Sequence, residues 1–435
     1  MRIFIFVLFM AIGSPPVFAD NGQWLIGGRA TLNISNGVYA SPSGNMKEYE
    51  ATFARSSVPM PTCGTISDFK VTTLKGETGA GASWIFSFYK SGIVTDLIVT
   101  LSDSEETDVN ESNSFHVCAP DEIAILVSST GSPATNSVTW RWKFTPDIVG
   151  ERILLGTSGQ PGWSGDDGDI WQVDGNNSVS GELFDTTSNI FPINATIKKF
   201  YMKQDSLMDS GKYATNCFII EGVLSSLCTT VNDTDLIDSD TSTLVSVSAG
   251  DIAGIQLDVP SLTVNQDRYL GWSAVYVPED QRDFCFFFSN PNPPGGAFDN
   301  WTIAYQVVSG LNRWSIAPSG VLSAIETRQL SSVDMYVRAI YTWADSSPGV
   351  VGSYTFDLLG DGVDVGLETV MTEPETEAST TLSSPISVSS ASLLVTRVVA
   401  TNESDGKIFK VSYVARMDSD SNEYQNLTIT NINLN

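Results

Sequence analysis

Histidine is almost missing from this chain: His116 is the only one in 435 residues. A Ser-His-Asp or Cys-His site would have to use it, yet no Gly-x-Ser-x-Gly elbow occurs and the best-placed cysteines read as disulfide partners. His116 lies in an alternating run beside Cys118 and reads as a half-buried strand residue. One histidine and scattered cysteines also lack the ligand spacing of a zinc centre. Positive charge is scarce too, with 23 Lys and Arg against 50 Asp and Glu and a formal net charge of −27. Such a surface repels phosphate backbones and anionic headgroups, which argues against nucleic acid and membrane-surface partners. Phosphate-binding glycine loops and dinucleotide fingerprints are absent, as is any sustained helical periodicity. The apolar stretch from Ile3 to Ile12 is too short to span a bilayer. Of the familiar catalytic devices only paired carboxylates, as in glycosidases, stay open, and the chain reads as a non-enzyme.

What is present is a threefold repeat. A β-like run, a glycine turn, a second run and an acidic loop recur around Gly92, Gly222 and Gly362. Ser-Gly, Glu-Gly or Asp-Gly separates two β-branched runs in each copy, and glycine there supplies the positive φ of a tight hairpin. Matched strands precede the hairpins at Thr65, Thr196 and, more loosely, Val333. Each unit closes on an alternating run: Trp140, Trp142 and Phe144; Trp272, Ala274 and Tyr276; Val411, Tyr413 and Ala415. Pro146-Asp147 and Pro278-Glu279 then mark joints, each followed by a new strand (RILLG, FCFFF). About 140 residues per unit bury enough surface to fold without metals. The expected fold is all-β, with three tandem antiparallel sandwiches of jelly-roll type at residues 20–147, 148–279 and 280–435.

Residues 1–19 read as a secretory signal peptide: Arg2, the apolar stretch, Pro15-Pro16, then Val17-Phe18-Ala19. The expected location is therefore secreted or cell-surface. Five cysteines fit an oxidising compartment. Aligning the repeats sets Cys63 opposite Asn194 and Cys118 opposite Ser248, so both cysteines are present in one unit and both absent from the next. That co-variation pairs Cys63 with Cys118. Cys217 and Cys228 are equidistant from the Gly222–Val223 junction, and residues symmetric about a hairpin face each other closely enough for a disulfide. Cys285 is left as a small buried apolar residue.

The acidity is patterned. The loop after each hairpin carries Asp103, Glu105, Glu106 and Asp108; Asp233, Asp235, Asp238 and Asp240; Glu373, Glu375 and Glu377. Two tighter clusters are Asp166, Asp167 and Asp169, and Asp418, Asp420 and Asn422. Alternating carboxylates can converge on Ca²⁺, the one cofactor the sequence suggests, although Glu423 stands where an EF-hand needs glycine. A solvated acidic loop is the competing reading. Trp163, Trp171, Trp301 and Trp314 lie in Gly-, Asp- and Asn-rich stretches, where they would either meet sugar rings or plug the sandwich ends.

The segments TISDFKV…SGIVTDLIVTL…APDEIAILVSS and TIKKFYM…EGVLSSLCTTV…AGDIAGIQL resemble β-sandwich repeats of phage and environmental-virus structural proteins. A looser likeness extends to C1q/TNF-type jelly rolls. The resemblance implies a structural or receptor-facing module without catalysis, from which the signal peptide departs. The expectation is an exported structural or adhesive protein that self-assembles or meets a cell-surface or glycan partner. The alternative is a secreted carbohydrate-binding protein, with or without glycosidase activity. The run QWLIGG from Gln23 and the run from Leu427 read as strands that either dock on their own unit or complete a neighbour's sheet.

Overall fold

The computed structural model describes residues 22–32, 37–43, 52–73, 79–134, 136–158, 170–173, 175–176, 188–258, 269–290, 302–305, 314–317, 329–330, 335–360, 363–388, 393–402 and 409–417. The signal-like segment 1–19, Trp163, Trp301, Gly362, Asp166, Asp167, Asp169, Asp418, Asp420, Asn422 and the run from Leu427 lie outside them.

Strands β1 (Gln23–Leu32), β2 (Val38–Ala40), β3 (Val58–Pro59), β4 (Gly64–Thr73), β5 (Gly79–Lys90), β6 (Ile93–Asp103), β7 (Thr107–Val117), β8 (Glu122–Thr130) and β9 (Asn136–Pro146) form two sheets, with a short helix α1 (Phe53–Ser56) before β3. Their orders are β1-β9-β4-β7 and β2-β8-β5-β6. This is the pattern of a jelly roll, in which two Greek keys distribute eight antiparallel strands over two sheets. The next set is β10 (Arg152–Thr157), β11 (Ile170–Gln172), β12 (Gly175–Asn176), β13 (Asn189–Ile190), β14 (Ala195–Gln204), β15 (Tyr213–Ile220), β16 (Val223–Asn232), β17 (Ile237–Val247), β18 (Ile252–Asp258) and β19 (Leu270–Pro278). It repeats the pattern as β10-β19-β14-β17 and β11-β18-β15-β16. The last set is β20 (Phe284–Asn290), β21 (Thr302–Tyr305), β22 (Trp314–Ala317), β23 (Gln329–Leu330), β24 (Met335–Ala344), β25 (Ser353–Gly360), β26 (Val363–Thr372), β27 (Glu377–Val388), β28 (Leu393–Thr401) and β29 (Phe409–Arg416). It gives β20-β29-β24-β27 and β21-β28-β25-β26. The fold is all-β, a succession of antiparallel jelly-roll sandwiches.

The hairpins form where the sequence places them. Lys90 pairs with Ile93 and Ile220 with Val223, leaving two-residue turns in which Ser91, Gly92, Glu221 and Gly222 all have positive φ. That pair of angles matches the twist of the flanking strands. Gly360 pairs with Val363 in the third copy. A bulge follows the turn in each, so that Leu97, Leu227 and Leu367 swing into the cores.

Each sandwich core is sewn from both of its sheets. Trp140, Trp142, Phe144, Ile66 and Phe69 meet Trp84, Phe86, Phe88 and Leu101 in the first. Gly27 faces Trp140, and a Cβ there would lie 2.4 Å from the Trp140 Nε1. Gly156 repeats this against Trp272, whose ring would be 2.3 Å away. Only a glycine lets these indoles lie flat on the opposing strand.

The first strand of each set is apolar on both faces, and its two faces belong to different cores. Leu25, Leu154 and Phe286 point inward into their own sandwiches. Ile153 and Leu155 belong to the core cluster of the first sandwich. Cys285 and Phe287 belong to that of the second, joined by Ala339 and Val414. Trp24 is in the cluster of the third, with Ile26 packed against it. The exchange is therefore cyclic, with the first strand of every sandwich completing the core of the one before and the first sandwich closing on the third.

Candidate functional site: the faces between the sandwiches

Parts of the outward faces of the β1, β10 and β20 sheets are buried at these joints, so the polar groups there need partners. At the first joint Lys203 of β14, 3% exposed, sends its Nζ to Glu122 Oε2 at 2.7 Å, to the Ala54 carbonyl at 2.7 Å and to Ser57 Oγ. Burial lowers the affinity of that ammonium for its proton, partly offset by Glu122. The Ser57 carbonyl comes so close to Gly271 of β19 that a Cβ would sit 2.7 Å from it. Glu151, 1% exposed, accepts from Thr62 Oγ1 at 2.5 Å and holds Lys199 Nζ at 2.8 Å and Lys198 Nζ at 2.9 Å. Burial alone would raise its pKa, but the hydrogen bonds from Lys199, Thr62 and Lys198 outweigh it and hold the carboxyl below its ordinary range.

The second joint repeats the arrangement with stronger cations. Lys199 and Arg338 each sit at the register shift of their strand, β14 and β24, and each pairs with the acid just before the first strand of its own set, Glu151 or Asp283. Asp283 also takes Arg416 Nε at 2.5 Å, while Arg416 Nη2 reaches Asp280 Oδ2 at 2.6 Å. Burial opposes ionisation of Asp280, yet the hydrogen bonds from Arg282 and the charge of Arg416 draw its pKa down to about 2. Arg152 donates to the carbonyls of Asp283 at 3.0 Å and Gln281 at 2.7 Å, and Ser412 Oγ donates to the Ile190 carbonyl at 2.6 Å. Beside this lock lies a cleft of about 370 Å³ lined by residues including Asn194, Asp280, Arg338 and Tyr341. An adjoining cleft of about 450 Å³ is lined by Tyr341, Glu375 and Glu377 among others. Burial, then the charges of Glu221 and Asp251, push the Glu377 carboxyl up.

The residues singled out by sequence divide clearly. Cys63 is bonded to Cys118 and Cys217 to Cys228, and Cys285 is a buried free thiol. His116 is in a strand, β7, but is more exposed than its pattern suggests: its side chain is 52% exposed and pairs with Asp147 Oδ2 at 3.0 Å. Trp171 and Trp314 lie in strands β11 and β22. Several carboxylates of the acidic segments accept backbone amides. Glu105 Oε2 takes the Ser102 amide, Asp238 Oδ2 the Thr230 amide, Glu375 Oε2 the Thr372 amide, and Asp240 Oδ1 the amides of Ser242 and Thr243. Among the described residues the carboxylates whose oxygens gather within 4.8 Å of one another are Asp357, Asp364 and Glu368. Sequence reasoning missed these three, although the hairpin symmetry about the third turn sets Asp357 opposite Glu368.

No family model matches the chain, and no curated protein matches it in sequence. Among solved structures it is similar to a chain from an archaeal virus, described as having a triple jelly roll fold and taking part in turret assembly. The identity is 10%, the match covers 82% of this chain and 81% of the other, and the TM-score is 0.15. At that score the likeness carries no argument, and the jelly-roll reading rests on the strand orders above.

Proposed function

We propose that this chain is an exported, non-enzymatic structural or adhesive protein, a surface, filament or virion-type component whose three jelly rolls, at 20–147, 148–279 and 280–435, act as one building block. The observation that carries this reading is the cyclic exchange of first-strand side chains. It turns three sandwiches into a single unit and buries the outward-facing side chains of β1, β10 and β20 internally. The partner-facing surface is then the remaining sheets and their edges.

Those edges support self-assembly. Strands β6, β16 and β26 each end a sheet and begin with exposed apolar residues: Ile93 and Val94, Val223 and Leu224, Val363. Long edge strands with apolar exposure are templates for pairing with another chain. Two disulfides agree with an oxidising compartment. Light scattering on the size-fractionated mature protein, run beside a glycan array, tests the reading. Concentration-dependent oligomers without glycan binding are expected. A monomer that binds a specific glycan would replace this reading with a carbohydrate-binding one.

A further inference from the structure

The outer face of the third sandwich carries a charged cluster where its neighbour carries a covalent link. In the second sandwich Tyr213 pairs with Asn232 and Cys217 with Cys228 before the bulge. In the third, Ser353 pairs with Thr372 and Asp357 with Glu368, each residue 140 positions further on. Asp357 and Glu368 therefore occupy the places of the bonded cysteines, and Asp364 stands at the place of Leu224. Two acids directly opposed across a hairpin repel each other unless something lies between them.

Arg397 of β28 answers part of that charge. Its Nε and Nη2 lie 2.7 and 2.6 Å from the same oxygen, Asp357 Oδ2. The other oxygen, Oδ1, is fully buried without a hydrogen-bond partner, on a residue that is 0% exposed. A carboxylate left half-satisfied inside a protein is costly, and one oxygen of each of Asp357, Asp364 and Glu368 lies within 4.8 Å of the others. Asp364 is steadied by the Gly366 amide, which donates to its Oδ1 at 2.7 Å.

We propose that Asp357, Asp364 and Glu368 bind one divalent cation of the calcium type, which clips β25 to β26 as the Cys217–Cys228 disulfide clips β15 to β16. Three carboxylates and one guanidinium leave a double negative charge, which one such ion neutralises. Calcium accepts 6–8 oxygens in flexible geometry, so the carboxylates with water complete its shell without displacing Arg397.

Calorimetric titration of chelator-treated, full-length mature protein with CaCl₂ alone tests this. Asp364→Asn/Glu368→Gln, at two exposed positions, is expected to take up one ion fewer per chain than the unmutated protein, while Asp166→Asn/Asp167→Asn/Asp169→Asn keeps the site. In a second arm, Asp357→Cys/Glu368→Cys should form a disulfide and lose the calcium-dependent rise in melting temperature that the unmutated protein shows. Equal uptake by the unmutated and Asp364/Glu368 proteins, or no uptake by the unmutated protein at millimolar calcium, would overturn the assignment.

Discussion

Gln23 lends both ends of its side-chain amide to Ile153, one repeat further along: Nε2 donates to the Ile153 carbonyl at 3.0 Å, and Oε1 accepts from the Ile153 amide at 2.8 Å. Both residues are buried, so neither backbone group has water as a substitute. Arg152 repeats the reach at the next joint, donating to the Asp283 carbonyl. Gln23→Ala leaves a buried donor and a buried acceptor unpaired, at about 1–3 kcal/mol each. Urea unfolding should show a loss in that range or somewhat above it. Gln23→Glu should destabilise as well, since a carboxylate cannot donate to the Ile153 carbonyl.

Trp24 and Leu25 are neighbours in sequence but belong to different sandwiches. Removing either side chain should cost about 2–5 kcal/mol through lost burial and a residual cavity. The location of the damage distinguishes them. Hydrogen exchange should speed up in β25 and β28 of the third sandwich for Trp24→Ala, and in β5 and β8 of the first for Leu25→Ala. Damage confined to the first sandwich in both variants would mean that Trp24 does not close the ring.

Cys285 is buried between the second and third sandwiches, and burial pushes its thiol well above the ordinary range. The thiolate is the reactive form, so the folded protein should not react with a thiol reagent at neutral pH. One thiol per chain should appear when the protein is unfolded without reductant. Rapid labelling of the native protein would show that the second joint opens.

Acid should loosen the second joint late. The pKa of Asp280 is depressed to about 2 in the fold, against an ordinary value of about 4. A depressed carboxylate contributes stability that is complete above its unfolded pKa and disappears as pH falls through the folded one, here between about 4 and 2. Asp280→Asn should flatten the stability profile in that window. An unchanged acid limb would show that its ion pairs with Arg282 and Arg416 contribute nothing.

Much of the fold was legible because hairpins and alternation are local. The turn glycines fixed the register, and the register placed Cys217 opposite Cys228. Cys63 and Cys118 followed from alignment, since they flank β4 and β7, whose ends pair Gly64 with Val117. The cyclic exchange was not read, although its signal is present: QWLIG, RILLG and FCFFF are apolar at consecutive positions, which a strand covered on one face alone does not require. The Asp357 cluster was missed for a related reason. The hairpin symmetry used for the cysteines also sets Asp357 opposite Glu368, but acids in a chain this acidic draw no notice until their partners are known.

The ring closure is tested most directly by distances between equivalent points on the three sandwiches. Ile93, Val223 and Val363 open β6, β16 and β26 at matched places and are exposed. Spin labels on cysteines introduced there in pairs, measured by pulsed electron resonance, should give three nearly equal distances, because each sandwich meets the next through the same faces. An Ile93–Val363 distance much longer than the other two would mean that the sandwiches form an open row, and would contradict the cyclic account.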